Sequence, residues 1–320
     1  MSPVVSVVMA NFNGAAHLSD AIASVLGQSL RDLELIAVDD ASTDRSWSII
    51  SDAAGADRRV RGIALPKNLG PAGARNVALQ AASGAWIAIF DADDLMLPNR
   101  LADIVARAEA DHADIVADNL AVFSGAGPER LFLRPGSSAN GRWVSIQEWI
   151  LAGRMYGASP KLGYLKPVIR RDAFPGSQLR YLESLRIGED FDLILRLLAL
   201  GGRMRLYPEA WYRYRRHAGS TSEVLRASHL AALLAADEAF RRERREVDAD
   251  VLRHLDRRRR SLTDAVAYDQ VLQALRGRRI GPAVRTALEH PTIWPLLTMP
   301  ILARMRRTAA RLGWPRSGLA

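Results

Sequence analysis

Three carboxylates within four residues, Asp91, Asp93 and Asp94, follow an apolar segment in WIAIFDADDLMLP. Like charges this close repel one another, so the cluster needs a nearby positive charge. Carboxylate oxygens are the ligands that Mg²⁺ and Mn²⁺ prefer, and these cations keep other positions for water and phosphate. The pattern predicts a divalent cation held by Asp91 and Asp93. Such a cation would neutralise a diphosphate and help it to depart.

Two other predicted strand ends carry groups that suit a nucleotide. In VDDASTD, the carboxylate of Asp40 can accept the imide N–H of a uracil, while Ser42 and Asp44 can close the turn. Phe12 follows the first predicted strand, where its ring could stack on a base. Each motif alone is also typical of a turn or of core packing, so the hypothesis depends on their combination.

A third motif, KNLGPAGARNVAL, places two glycines at the start of a predicted helix. Gly70 and Gly73 relax the backbone there, and a helix N-terminus favours anions. Arg75 lies on the first turn, from which it can reach a phosphate or a base oxygen. The motif therefore predicts a contact with the same nucleotide.

Strand-like and helix-like segments alternate along the first hundred residues, a pattern that indicates a parallel sheet covered by helices. The predicted strands are Val4–Met9, Leu33–Val38, Val60–Leu65, Ala85–Phe90 and Asp114–Val122. The predicted helices are Ala15–Gln28, a helix capped by Ser42 or Thr43 that runs through Ile50, Pro71–Ala82, Pro98–Ala110 and Glu189–Ala199. Ligands collect at the carboxyl ends of such strands. Asn11, Asp40 and Asp91 fall there.

In this order the motifs resemble those of the family 2 glycosyltransferases, inverting enzymes that use nucleotide-activated sugars. The resemblance rests on SVVMANFNG, VDDASTD, GPAGARNVAL, FDADDLMLP, GEDFDL and YRRHAGSTS, and it extends from Val4 to about Ser222. It implies a GT-A fold, which is a Rossmann-like α/β architecture. We expect a mixed, mostly parallel sheet flanked by helices, with a helical C-terminal extension.

The resemblance also implies a role for each matching residue. Phe12 and Asp40 would bind the uracil end of the donor, beside Ala10 and with help from Arg75. Asp91, Ala92 and Asp93 would hold the ribose and a Mn²⁺ or Mg²⁺ ion, and His217 would approach the metal or the diphosphate. Ala10 and Asn11 depart from the Thr and Tyr that many relatives carry nearby.

GEDFDL would supply the acceptor side of the reaction. Inversion needs a carboxylate that removes the proton of the attacking hydroxyl, and Asp190 matches the base of the family. Glu189 would bind acceptor hydroxyls, because adjacent helix residues point about 100° apart and cannot share one task. Asp192 is the alternative base. Without the acidic cluster at residues 91–94, a helix N-terminus stabilised by its acids would be the preferred explanation of these residues.

The composition of the chain restricts the kinds of site and the domain organisation that are possible. The 320 residues contain no cysteine, which excludes disulfides, thiolate metal sites and cysteine nucleophiles. The N-terminus is expected to form the first strand rather than a signal peptide. The net charge is +9, and residues 223–320 hold 19 arginines against 11 acidic residues. We therefore predict a catalytic domain over residues 1–222 and a basic helical extension over residues 223–320.

The end of that extension, HPTIWPLLTMPILARMRRTAARLGWPR, mixes apolar and basic residues. Its apolar part is shorter than the ~20 residues that cross a bilayer, but it suits an interfacial anchor on anionic lipid. We expect a cytoplasmic protein, peripheral at the inner face of the cytoplasmic membrane. Nucleic acid is not an expected partner despite the isoelectric point of about 10.4, because no recognition helix or interleaved aromatic residues accompany the charge.

The sequence thus predicts a metal-dependent inverting glycosyltransferase. It would move a sugar from a UDP-sugar, such as UDP-glucose, to a saccharide acceptor that is lipid-linked. By resemblance, the product would be a bacterial surface polysaccharide of the succinoglycan type. A haloacid-dehalogenase-type phosphatase, a nucleotidyltransferase and a non-catalytic sugar-nucleotide-binding protein that docks on membranes remain as alternatives. The first expects Thr or Val near Leu95, and the second leaves GEDFDL without a role.

Overall fold

The computed structural model describes residues 2–125, 127–134, 140–157, 159–174, 179–217, 226–244 and 248–298. Its centre is a ten-stranded sheet. The strands are β1 (Val5–Asn11), β2 (Leu33–Asp39), β3 (Val60–Ala64), β4 (Trp86–Asp91), β5 (Leu95–Met96), β6 (Ile115–Phe123), β7 (Arg130–Leu131), β8 (Arg142–Val144), β9 (Val168–Arg170) and β10 (Met204–Arg215).

Helices cover this sheet and continue beyond it. They are α1 (Ala15–Leu26), α2 (Ser46–Ala56), α3 (Gly70–Ala81), α4 (Arg100–Ala110), α5 (Ile146–Ala152), α6 (Glu189–Ala199), α7 (Ala227–Glu243), α8 (Ala249–Arg276), α9 (Ile280–Glu289) and α10 (Trp294–Leu297). Every strand and helix predicted from the sequence is present, with ends within a few residues of the prediction except for α2, which continues to Ala56 rather than ending near Ile50. Among the described residues, no helix has the length and apolarity needed to cross a membrane.

The predicted cap of α2 is wrong. Helix α2 begins after Arg45, and neither Ser42 nor Thr43 caps it. The hydroxyl of Ser42 instead donates to Asp39 at 2.6 Å, and the carboxylate of Asp44 accepts the N–H of Ser46 at 2.9 Å. Hydrogen bonding within the turn therefore uses the hydroxyl that the sequence assigned to the helix.

The strand order is β3-β2-β1-β4-β9-β6-β10-β5, so the sheet is mixed. The first four strands in this order are parallel to one another, and β9 lies antiparallel between β4 and β6. Strands β1, β2 and β4 are buried on both faces, as near-continuous apolar runs in parallel sheets require. Their carboxyl ends meet at one edge of the sheet.

The C-terminal helices share the main core with the sheet. Phe240 of α7 and Val251 and Leu255 of α8 are buried in the same apolar cluster as β1 and β4. A second cluster joins α7 and α8 to Leu185, which precedes α6. The predicted domain boundary near residue 222 lies outside the described residues. The helices that follow it are packed directly against the part of the chain that carries the site motifs.

A fully buried ion pair joins the second half of the sheet. The guanidinium of Arg100 in α4 contacts the carboxylate of Asp118 in β6 at 2.8 Å, and neither side chain is exposed. Arg100 also donates to the carbonyl of Lys166 at 2.6 Å. Asp118 in turn accepts the backbone N–H of Tyr212 at 2.9 Å. This pair fixes the chain at Lys166, at the entrance to β9.

Replacing Asp118 by Asn should destabilise the protein, because it leaves a buried guanidinium without its counter-charge. We expect a loss of about 3–5 kcal/mol of unfolding free energy, measured by urea denaturation. Glu238→Gln is the matched control, since its pair with Arg259 is about half exposed on both sides and should contribute less than about 1 kcal/mol. Equal stabilities of the two variants would contradict this role of Asp118.

Candidate active site

A cleft of about 820 Å³ opens at the carboxyl edge of the sheet. All of the residues predicted to act in the site line it: Ala10, Phe12, Asp40, Arg75, Asp91, Ala92, Asp93, Glu189, Asp190 and His217. Most of them lie at or just after the ends of β1, β2 and β4, while Arg75 belongs to α3 and His217 follows β10. The N-terminus of α6 contributes the two acids Glu189 and Asp190. The structure therefore brings the two predicted halves of the site into one cavity.

The two oxygens of Asp91 are held by cations from the protein itself. One accepts from Nη2 of Arg75 at 2.6 Å and the other contacts Nζ of Lys166 at 2.7 Å. Burial alone would raise the pKa of Asp91, but Lys166 and Arg75 lower it to about 2. These side chains supply much of the counter-charge that the acidic cluster needs. Each Asp91 oxygen keeps a second lone pair beyond these contacts, so they do not by themselves prevent Asp91 from binding a metal ion.

Asp94 is buried beneath the cleft and does not line it. Its carboxylate accepts the hydroxyl of Tyr212 at 2.7 Å and the backbone N–H of Arg215 at 2.7 Å. Burial, and then the neighbouring charges of Asp91 and Asp93, raise the pKa of Asp94 well above its usual value. Asp94 thus fastens β10 to the end of β4.

Asp93 presents the most open carboxylate of the cluster. Its Oδ2 lies 2.8 Å from Nε2 of His217, and each of these side chains is about one-third exposed. Oxygens of Asp91, Asp93 and Asp94 lie within 4.8 Å of one another. A cation that keeps several water ligands needs only one or two carboxylates. The donor set of Asp93 and His217 therefore fits Mn²⁺ or Mg²⁺.

Asp190 lies opposite this cluster, at the first turn of α6. Its Oδ2 accepts from Nζ of Lys166 at 2.9 Å, and its Oδ1 accepts the hydroxyl of Tyr181 at 2.9 Å. Lys166 therefore bridges Asp91 and Asp190 across the cleft floor. Burial opposes its charge, but the two carboxylates raise the pKa of Lys166 above its ordinary value, so it remains an ammonium.

Lys166 is not among the residues predicted from the sequence. Its residue type is the one feature that could have indicated it, because lysine occurs only three times in the chain, and Lys161 and Lys166 both line this cleft. No local motif marks Lys166, since its partners are 75 and 24 positions away in the sequence. Only the fold brings them together.

Arg75 forms a second bridge between the two halves of the site. Its Nη1 lies 2.7 Å from Glu189 and 3.8 Å from Asp190, while its Nη2 holds Asp91. Burial and the charge of Asp190 raise the pKa of Glu189, against the effect of Arg75. The Nε–H of Arg75 is buried without a hydrogen-bond partner among the described residues.

The end of the cleft that is predicted to bind the nucleotide lies where β1 and β2 end. Phe12 is 53% exposed there, so its ring is free to stack on a base. Asp40 accepts the backbone N–H groups of Leu69 and Gly70 at 2.6 and 2.8 Å, which holds the start of α3. Burial raises the pKa of Asp40 despite these bonds. Each of its oxygens has a second lone pair that can accept from a base.

The opposite wall includes the C-terminal helices. Phe191, next to Asp190, stacks on Trp149 with ring centroids 5.8 Å apart, and the guanidinium of Arg258 in α8 lies 3.9 Å from its ring centre. Arg258 is paired with buried Asp237 at 2.9 Å. Asp192 bonds Arg196 at 2.9 Å and does not line the cleft. Of the carboxylates in GEDFDL, Glu189 and Asp190 are therefore the two that face the cavity.

Comparison with known proteins decides the family. Residues 6–156 match the profile described as Glycosyl transferase family 2. The succinoglycan biosynthesis protein ExoO of Rhizobium meliloti is 39% identical over 98% of this chain and 90% of its own length. The chain belongs to glycosyl transferase family 2. ExoU of the same organism is 30% identical over 93% of this chain and 87% of its own length.

This glycosyltransferase also has solved structural neighbours. Residues 1–349 of Staphylococcus aureus TarS, in complex with UDP-GlcNAc, match with a TM-score of 0.61 at 17% identity, over 91% of this chain and 92% of that one. The Pyrobaculum calidifontis mannosyltransferase PcManGT, with GDP-Man and Mn²⁺, matches with a TM-score of 0.58 at 18% identity, over 97% of this chain and 81% of that one. The predicted GT-A fold is confirmed, and so is the prediction of an enzyme that transfers sugars.

Replacing Lys166 by Met should leave the buried carboxylates of Asp91 and Asp190 without their shared cation. We expect a loss of about 3–5 kcal/mol of unfolding free energy, measured by urea denaturation. Lys67→Met is the matched control, because Lys67 is exposed and should change stability by no more than about 0.5 kcal/mol. Wild-type stability of the Lys166 variant would show that the bridge does not hold the cleft together.

Proposed function

We propose that this glycosyltransferase moves a sugar from a UDP-sugar to a saccharide acceptor with inversion, using Asp190 as the base. The observation that supports this most is that Asp93 and Asp190 line one cleft. An acceptor in that cleft can have the donor on one side and a proton acceptor on the other. Family membership favours glycosyl transfer over the phosphatase and nucleotidyltransferase alternatives.

The donor would lie across the strand ends. Phe12 would stack on the uracil, the Asp40 carboxylate would accept its imide N–H, and Arg75, which lines the same cleft, would assist in binding there. Asp91 and Ala92 would contact the ribose, beside Ala10. The complex of TarS with UDP-GlcNAc supports a UDP-sugar as the donor class, and UDP-glucose is the first donor to test.

Mn²⁺ or Mg²⁺ would be held at Asp93 and His217, with Asp91 as the further ligand that the sequence predicts. A bound divalent cation would neutralise the charge that develops on the departing diphosphate. The Mn²⁺ complex of PcManGT, which shares the fold, supports this assignment. So does the open position of the Asp93 carboxylate at the cleft wall.

In the transfer step, an acceptor hydroxyl oxygen attacks the anomeric carbon of the donor. The bond from that carbon to the diphosphate breaks, and its electron pair leaves with UDP. The hydroxyl proton passes to Asp190, whose oxygens each keep a lone pair beyond the bonds to Lys166 and Tyr181. Glu189 would bind neighbouring acceptor hydroxyls, since Arg75 fixes its carboxylate beside the base.

The acceptor would be a lipid-linked saccharide, extended during synthesis of a surface polysaccharide at the inner face of the cytoplasmic membrane. ExoO and ExoU, which are named for succinoglycan biosynthesis, support that process. We do not expect the protein to bind nucleic acid. An assay of UDP release separates this function from that of a non-catalytic sugar-nucleotide-binding protein.

Release of UDP from a UDP-sugar with a saccharide acceptor should fall about 10²–10⁴-fold in Asp190→Asn. Asp192→Asn is the matched control on the same helix, and it should release UDP at nearly the wild-type rate. Glu189→Gln should raise the KM for the acceptor, and removing divalent cations with EDTA should abolish release.

Three results would contradict the proposal. Unchanged release in Asp190→Asn would remove the base, and release of inorganic phosphate instead of UDP would indicate a phosphatase. Donor binding without any UDP release from the wild type would favour the non-catalytic alternative.

A further inference from the structure

Exposed apolar side chains are concentrated near the end of the described chain. Eleven large hydrophobic residues are exposed among those that the structure describes, and five of them lie between residues 275 and 294. On α9, Ile280 is 68% exposed, Val284 51% and Leu288 66%. Their spacing of four residues places them along one side of the helix. Trp294, 52% exposed, adjoins this stripe, because its indole N–H donates to the carbonyl of Ala287 at 2.6 Å.

The stripe lies on a helix whose other side is already packed. Ala283 of α9 is buried with Val271 and Ala274 of α8. The exposed row is therefore additional to the face that holds α9 on the protein. Single exposed hydrophobic residues are common on protein surfaces, but a row of three along one helix is not. Such a row indicates a surface that contacts a partner.

Positive charge surrounds one end of the stripe. Arg276, Arg278 and Arg279, at the turn between α8 and α9, are exposed, and none of them forms an ion pair with a described residue. The arginines favour a partner that carries negative charge, and the net charge of this chain, +9, disfavours a second copy. An anionic lipid surface instead offers acyl chains for the stripe and negative head groups for the arginines.

We propose that the stripe Ile280, Val284 and Leu288, with Trp294 and the arginines of the preceding turn, docks the protein on an anionic membrane. The sequence predicts membrane contact in the segment of residues 290–316. Most of that segment, residues 299–316, lies outside the described residues, and helix α9 precedes it. The inference extends the proposed function, because it gives an enzyme for lipid-linked acceptors a way to stay near them.

The docking surface is well separated from the cleft. Helix α8 carries Arg258 at the cleft and Leu275 at the docking surface, 17 residues further on. At a rise of 1.5 Å per residue, these positions are about 25 Å apart along the helix. Substitutions on α9 should therefore leave chemistry in the cleft unchanged.

Flotation of the full-length protein with phosphatidylcholine vesicles, with and without phosphatidylglycerol, tests the surface directly and needs no substrate. The wild type should float with the anionic vesicles, less so at high salt. The triple variant Ile280→Ser, Val284→Ser, Leu288→Ser should bind at least about tenfold more weakly. The double variant Arg278→Ser, Arg279→Ser should bind about 30-fold more weakly. The control, Leu97→Ser with Leu131→Ser, removes exposed apolar groups elsewhere and should float like the wild type.

The proposal is overturned if the wild type does not float, or if the triple variant floats as well as the wild type does. It is also overturned if sedimentation shows that the wild type is a dimer and the triple variant a monomer, while neither protein binds vesicles. UDP release with a water-soluble acceptor should be equal in the wild type and the triple variant. If the wild type floats with anionic vesicles but releases no UDP, the proposed function is rejected while the proposed docking surface is still supported.

Discussion

The site depends on the ammonium of Lys166, which contacts Asp91 at 2.7 Å and Asp190 at 2.9 Å. The first carboxylate ends a strand and the second begins a helix almost a hundred residues later. Asp190 is buried and the side chain of Asp91 is only about one-fifth exposed. Without a shared cation the two carboxylates would repel each other in a medium that screens charge weakly. Arg75 adds a second bridge between them. The separation of Asp91 and Asp190 in the cleft is therefore set by ion pairs in its floor.

The rest of the fold can be understood as support for that floor. The backbone of Lys166 is held through its carbonyl by Arg100, itself paired with Asp118 inside the sheet. Helix α6, which carries Asp190, is held by the stack of Phe191 between Trp149 and Arg258. Because Arg258 belongs to α8 and pairs with Asp237 of α7, the C-terminal helices help to position Asp190, the proposed base.

The sequence was sufficient to predict the architecture and a set of residues that line one cleft. Alternation of apolar strands and amphipathic helices predicted the sheet, and polar residues at strand ends predicted the cleft, because carboxyl ends of parallel strands meet at one edge. Lys166 could not be found this way, since its contacts join distant segments. The different environments of Asp91, Asp93 and Asp94 also could not be predicted from their spacing. Asp91 is paired with cations, Asp93 is open to the cleft and Asp94 is buried in a structural role, and these differences come from burial and from hydrogen-bond partners. The α2 cap failed because a turn competed for the same hydroxyl.

A crystal structure with UDP and Mn²⁺, with anomalous scattering to locate the metal, would show whether the donor and Asp190 share one cleft. We predict uracil against Phe12, and the diphosphate and an anomalous peak beside Asp93. The Asp190 carboxylate should face the remaining open volume of the same cleft. UDP bound elsewhere on the protein, or a diphosphate separated from Asp190 by intervening protein, would contradict it.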